Sequence, residues 1–257
     1  IYKIYAAMLR NRLIDSIDSR ILPNQYGFRA KRSTAQPLFI ARRLIDIAEA
    51  SGEDLVLTFL DWEKAFDKVD QLELISAAER FNVPAETIDE IRKIYSTPEF
   101  CIRDVEGISS KRKQRTGIRQ GCPLSPYLFT IVMTAMFMDI HAERANVEKS
   151  QPEKDATTAE LLYADDTMLI GNREGEINDF IQIIEKHSGR YGMKLNKAKC
   201  EFFSINTHII LKFTDGSTLK MLGKPHISEG SSKQTEPPSP KLKTEYPRPV
   251  ESLANLK

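Results

Sequence analysis

The stretch Leu161-Leu-Tyr-Ala-Asp-Asp-Thr-Met-Leu-Ile170 sets two adjacent carboxylates between two short apolar runs. Each run has the length and flanks of a buried strand, so Tyr163 to Asp166 is expected at the tip of a tight hairpin that brings both acids beside a sheet. Neighbouring like charges at low dielectric repel, and coordination of a cation is one of the few arrangements in which both stay ionised. Taken alone, these residues also fit a plain Asp-Asp turn whose side chains cap backbone N–H groups and face water.

A second acidic strand changes the balance. Leu55-Val-Leu-Thr-Phe-Leu-Asp61 is apolar until its last residue and then acidic. Two apolar strands ending in carboxylates can meet in one sheet. Asp61 and Asp165 would then hold two magnesium ions, with Asp166 alongside, in the two-metal arrangement that activates a hydroxyl and stabilises a departing oxygen in phosphoryl transfer. Magnesium suits such a site because it needs few carboxylates and takes its other ligands from phosphate and water. Manganese is an acceptable substitute.

Outward from these strands, periodicity marks helices. Ile4, Tyr5, Met8, Leu9, Leu13 and Ile17 read as one face of a first helix, broken by Leu22-Pro23-Asn24 and Gly27. Ser33-Thr34 can cap a second, with Leu38, Ala41, Leu44, Ile45 and Ala48 as its buried stripe. Gln71 to Phe81 and Ala85 to Ile94 follow as two helices parted by Pro84, and Phe100 to Thr116 reads as a hairpin with a basic tip. Ser125 is placed as the cap of a helix carrying Leu128, Phe129, Val132, Met133, Ala135, Met136 and Ile140, apolar on nearly every face and so buried. A polar stretch, Asn146 to Thr158, leads to the Asp-Asp hairpin; an amphipathic helix from Glu174 to Tyr191 and strands at Glu201 to Ile205 and around Asp215-Gly216 complete the pattern. The fold class is α+β.

Three ordered boxes, Leu60-Asp61-Trp62-Glu63-Lys64-Ala65-Phe66-Asp67-Lys68-Val69, Arg119-Gln120-Gly121-Cys122-Pro123-Leu124-Ser125-Pro126 and Tyr163-Ala164-Asp165-Asp166, resemble motifs of reverse transcriptases. The wording is closest to the non-LTR, LINE-type retrotransposon enzymes. Gln25-Tyr26-Gly27-Phe28-Arg29 upstream, and Gly192-Met193-Lys194-Leu195-Asn196 with Lys199 and then Leu222-Gly223 downstream, resemble the flanking blocks.

The resemblance implies the palm and part of the fingers of a right-hand polymerase, with the thumb absent. It implies an RNA-directed DNA polymerase that adds dNTPs to a DNA primer on an RNA template, with Asp61, Asp165 and Asp166 as catalytic metal ligands. Phe66 stands where the family places the aromatic that collides with a ribose 2′-hydroxyl. Gln120, with Arg119 and Gly121, would meet the incoming nucleotide, and Tyr163 and Ala164 the primer end. Arg29 and Arg32 would contact template backbone or nucleotide, and Leu222 and Gly223 the primer. Lys199 resembles the lysine some polymerases use to protonate pyrophosphate, although Cys200 stands where the family often has Thr, and Met221 where it often has Tyr. RNA-templated RNA synthesis, a group II intron-type maturase and a catalytically silent retroelement remnant that at most binds nucleic acid are the rival readings; Phe66 argues against the first.

With 257 residues, 41% of them hydrophobic, the chain can bury one substantial core or two modest ones. No run is long enough to span a bilayer and no signal pattern opens the chain, so an intracellular protein, nuclear or cytoplasmic, is expected, with no membrane partner. Cys101, Cys122 and Cys200 show no metal-binding spacing and are expected reduced. The four histidines have no ligand spacing and receive no role. A formal net charge of +1 is low for a nucleic-acid binder, but Lys and Arg cluster locally at 29–32, 42–43 and 111–115. Residues 1–223 are expected to form the reverse transcriptase domain. Residues 224–257 hold six of the 13 prolines and one aromatic, so they read as a disordered Pro/Ser/Lys-rich tail.

Overall fold

Leu55–Leu60 (β1) is apolar but for Thr58, and in the computed structural model, which describes residues 1–105, 107–150 and 158–223, it is the central strand of a five-stranded sheet. Asp166–Gly171 (β5) and Glu201–Ile205 (β6) flank it, both antiparallel. Ala159–Tyr163 (β4) lies outside β5, and Lys220–Met221 (β7) runs parallel to β6 at the other edge. The acid-tipped strands expected to meet do meet, and β4 and β5 form the expected hairpin. A second ladder, Glu99–Phe100 (β2) with Arg112–Lys113 (β3), is a small hairpin of its own.

A strand buried on both faces needs cover on both. Val56 and Leu60 point into the larger core, built from Tyr2–Ile17 (α1), Gln71–Arg80 (α4), Ala85–Ser96 (α5), Ser125–Ser150 (α6) and Glu174–Ser188 (α7). Leu55 and Leu57 point the other way, toward Ala41 and Ala48 of Ala35–Ser51 (α2). The short helix Ala65–Lys68 (α3) follows β1. Helix α6 is not amphipathic over its first four turns because it is surrounded there: Leu128, Phe129, Val132, Met133, Met136, Phe137 and Ile140 are all fully buried, each worth about 1.5–3 kcal/mol in removed apolar surface.

Several local expectations are corrected. In α1 the buried stripe is Ala6, Leu9, Leu13 and Ile17, while Ile4 and Met8 are exposed, because the 100° step per residue puts them on another face. Thr34 occupies the N-cap of α2 without a capping bond from its side chain; instead Gln36 Oε1 accepts from the Ser33 N–H at 3.1 Å. Asp70, not read as a cap, accepts from Leu72 and Glu73 N–H at the start of α4, a contribution of about 1 kcal/mol. The β2–β3 hairpin is not basic at its tip, where Asp104 accepts from the Gly107 N–H; its cations sit on the returning strand. Ser125 is the first residue of α6 rather than its cap, and the helix runs through Asn146 to Ser150. Around Asp215-Gly216 there is a tight turn with a single Lys212–Thr218 bridge rather than two full strands. The tail expected at 224–257 lies outside the described residues.

Candidate active site

The β1–β5 register runs from Val56 opposite Gly171 to Leu60 opposite Thr167. One further step brings Asp61 level with Asp166. Side chains alternate along a strand, and since Leu57 and Met168 pack on the α2 side, Asp61 and Asp166 emerge on that side too. Asp165 sits in the turn between β4 and β5, directly after Ala164, whose φ of 58° is the left-handed geometry that makes the turn tight. A cleft of about 130 Å³ opens there, its walls including Pro37, Phe59, Tyr163, Met168, Asp61 and Asp166.

The acids are electrostatically frustrated. Burial, then Asp165 and Asp61, push the Asp166 carboxyl up to about 7. Burial also raises Asp165, with Asp61 adding to it. Among the described residues neither Asp165 nor Asp166 has a cationic partner. Asp61 has only Lys199, whose Nζ stands 4.0 Å from Oδ2. Nor do three His, Cys, Asp or Glu side chains among the described residues close into a ready-made metal cage. An open pair of half-buried acids nevertheless fits a hard divalent ion that brings water and phosphate with it, and such an ion would return both carboxyls to their ionised form.

The backbone of Asp61 is clamped from β6 and the loop before it. Its N–H donates to Cys200 Sγ at 3.4 Å, and its carbonyl accepts from Asn196 N–H at 2.8 Å. Cys200 is fully buried and its thiol is pushed up to about 11 by burial. The loop thus brings Lys199 near Asp61, and Cys200 provides an anchor for the Asp61 backbone.

Phe66 in α3, five residues after Asp61, stacks on Phe129 of α6, with centroids 4.4 Å apart and planes at 13°, and meets Phe28 edge-on at 6.3 Å. Gln120 Nε2 donates to Asp67 Oδ1 at 3.0 Å, next to Phe66. Gly121 takes φ 73° with open space around its missing side chain. Arg119 lies over the Tyr2 ring at 4.9 Å, and Arg32 over Tyr26 at 5.1 Å. Arg29 is only 9% exposed, its guanidinium engaged by Asp18 and by the Leu22 and Gln25 carbonyls. Tyr163 pairs with Asp166 across the hairpin. Leu222 donates its N–H to the Phe202 carbonyl at 2.7 Å, and Gly223 follows with φ 80°. Asp61, Asp165, Asp166, Tyr163 and Lys199 therefore share one locus; Arg29 and Arg119 are held by partners within the chain.

A five-stranded sheet covered by helices, whose neighbouring strands β1 and β5 carry acids at adjoining ends, fits a nucleic-acid polymerase palm with part of its fingers. Residues 1–236 match the family described as reverse transcriptase (RNA-dependent DNA polymerase), and the chain belongs to that family. Its relatives are proteins of non-LTR, LINE-type elements. It is 24% identical over 198 residues to the transposon TX1 uncharacterized 149 kDa protein of Xenopus laevis, covering 77% of this chain and 15% of that protein. It is 25% identical over 197 residues to the Pol polyprotein of the type-1 retrotransposable element R2 of Nasonia vitripennis, covering 72% of this chain and 19% of that one. Its fold is also similar to that of Candida tropicalis telomerase, solved in complex with a fragment of telomeric RNA, with a TM-score of 0.56 and 14% identity over 77% of this chain and 33% of that one. The chain spans 15% to 28% of the length of the curated relatives it matches. Among the described residues no helix is long and apolar enough to cross a membrane.

Proposed function

We propose that this chain supplies the polymerising centre of RNA-directed DNA synthesis, taking an RNA template, a DNA primer and dNTPs. The observation that carries this is the register of Asp61 against Asp166 at the ends of β1 and β5, with Asp165 one residue away and, among the described residues, no cation paired with Asp165 or Asp166. In the reaction the primer 3′-hydroxyl attacks the α-phosphate of a deoxynucleoside triphosphate and pyrophosphate leaves. Asp61, Asp165 and Asp166 would hold two magnesium ions, which when bound supply charge neutralisation at the attacking and departing oxygens. Lys199, exposed and near Asp61, would deliver a proton to the leaving pyrophosphate. Phe66, backed by Phe129, presents a wall to a ribose 2′-hydroxyl, and Gln120 beside Asp67 shapes the adjoining surface for nucleotide and template. Tyr163 and Ala164 form the shoulder for the primer end.

The test is primer extension with an oligo-dT primer on a poly-A template. Asp61→Asn and Asp165→Asn should each abolish incorporation in protein that is otherwise folded. Wild-type incorporation by either variant would overturn the assignment of the acids.

A further inference from the structure

Gln25 lies 139 residues from Ala164 in sequence and yet is bonded to both its N–H and its carbonyl. Its Oε1 accepts from Ala164 N–H at 2.9 Å and from Gly27 N–H at 2.8 Å, and its Nε2 donates to the Ala164 carbonyl at 3.3 Å. The two N–H donors fix which way the amide points, since only the oxygen can accept. The side chain is fully buried. Around it the backbone of residues 24–26 runs along the outer edge of β4: Leu162 N–H donates to the Asn24 carbonyl at 2.9 Å, and Tyr26 N–H to the Leu162 carbonyl at 2.8 Å. Gly27 then passes so close to the turn that a Cβ there would stand 2.2 Å from Ala164 N.

Ala164 is the residue whose left-handed φ aims Asp165 and Asp166. A strained turn holding two repelling acids keeps its shape only where its surroundings over-determine it. An uncharged amide is suited to that task, because it holds both the N–H and the carbonyl of Ala164 while adding no charge to compete for a cation.

We propose that Gln25 is a positioning residue for the Asp165–Asp166 turn, holding the two carboxylates in the separation that a divalent cation requires. The inference rests on the carboxylate-site reading above. Gln25 makes no contact with substrate; it acts through the Ala164 backbone. Partners one step removed from metal ligands typically change metal affinity by about 10–100-fold when lost.

The experiment is Mn²⁺ binding to the chain, followed by the paramagnetic signal of the free ion, together with the Mg²⁺ midpoint of primer extension. Wild type is compared with Gln25→Leu, which keeps volume and loses the amide, and Gln25→Glu, which keeps acceptor oxygens and loses the donor. Both variants should bind Mn²⁺ about tenfold more weakly and shift the Mg²⁺ midpoint upward by a similar factor, with KM for primer–template unchanged. Partial misfolding would lower the amount of active protein without moving a midpoint. The added charge of Gln25→Glu would by itself tighten cation binding, so weaker binding reports displaced acids. Unchanged Mn²⁺ affinity in folded Gln25→Leu or Gln25→Glu overturns the proposal, and loss of the fold in both makes Gln25 a residue of the fold alone and overturns it too. If wild type binds no Mn²⁺ and extends no primer, it is the carboxylate-site reading that fails, a result distinct from either.

Discussion

The Phe66 ring lies flat on Phe129, 4.4 Å between centroids. A ring pinned this way has little room to rotate, because Phe129 is itself fully buried in α6. Replacing Phe66 by Val should lower the preference for dNTP over rNTP by about tenfold or more, the scale at which a pocket discriminates small groups. Phe129→Leu should give a smaller change in the same direction, since it frees the ring without removing it. Single-nucleotide incorporation with matched dNTP and rNTP measures both, and an unchanged ratio in Phe66→Val would make that ring a core residue only.

The Asp166 carboxyl is pushed up to about 7, first by burial and then by Asp165 and Asp61. An acid whose folded pKa is raised binds more protons folded than unfolded, so this group's effect lowers stability as pH rises from about 4 to about 7 and levels off above. Asp166→Asn should therefore melt higher than wild type at pH 8, by roughly 2–4 °C for each kcal/mol relieved, with the gap closing below pH 5. Thermal melts at the two pH values decide it; Mg²⁺ should narrow the gap at pH 8 by stabilising wild type.

Asp139 is the converse case. Burial opposes its charge, but hydrogen bonds from Arg80 at 2.6 Å and Tyr191 at 2.6 Å outweigh it and hold its carboxyl below the usual range. The network ties α4, α6 and the turn Gly189–Tyr191 together. Its contribution is present above the unfolded Asp pKa and is lost as pH falls through the lower folded value. Asp139→Ala should cost about 2 kcal/mol in denaturant unfolding at pH 7, less at pH 3, and leave nucleotide selectivity unchanged.

Cys101 is exposed, whereas Cys122 and Cys200 are buried. A thiol reagent should consume one equivalent quickly under native conditions and the other two only on unfolding, since reactivity follows exposed thiolate. Fast labelling of Cys200 would contradict its place behind Asp61.

The reach of the sequence follows from how local each signal is. The 161–170 hairpin is written in ten consecutive residues, and the meeting of β1 with β5 follows from two apolar runs that both end in acids. Helix α6 announces itself because burial on all sides leaves no polar face. The parts that stayed hidden depend on distant neutral groups. Gln25 carries no charge and meets its partner across 139 residues, so neither periodicity nor charge pattern points to it. Cys200 offers no metal-binding spacing, and nothing near it in sequence points to the Asp61 amide that its sulfur meets. Arg29 is expected against template or nucleotide because the sequence does not show Asp18 folding back onto it.

The strand order β4-β5-β1-β6-β7 puts the two acid-bearing strands inside the sheet, with neighbours on either side. Amides of central strands exchange with solvent only through the largest openings of a protein, while edges and termini fray first. Asp61 and Asp166 are thus fastened to the part of the molecule that comes apart last. Variants that weaken α1, α2 or the β2–β3 hairpin should lose protection there long before the spacing of the acids changes, so the centre persists through partial opening and disappears only with the fold.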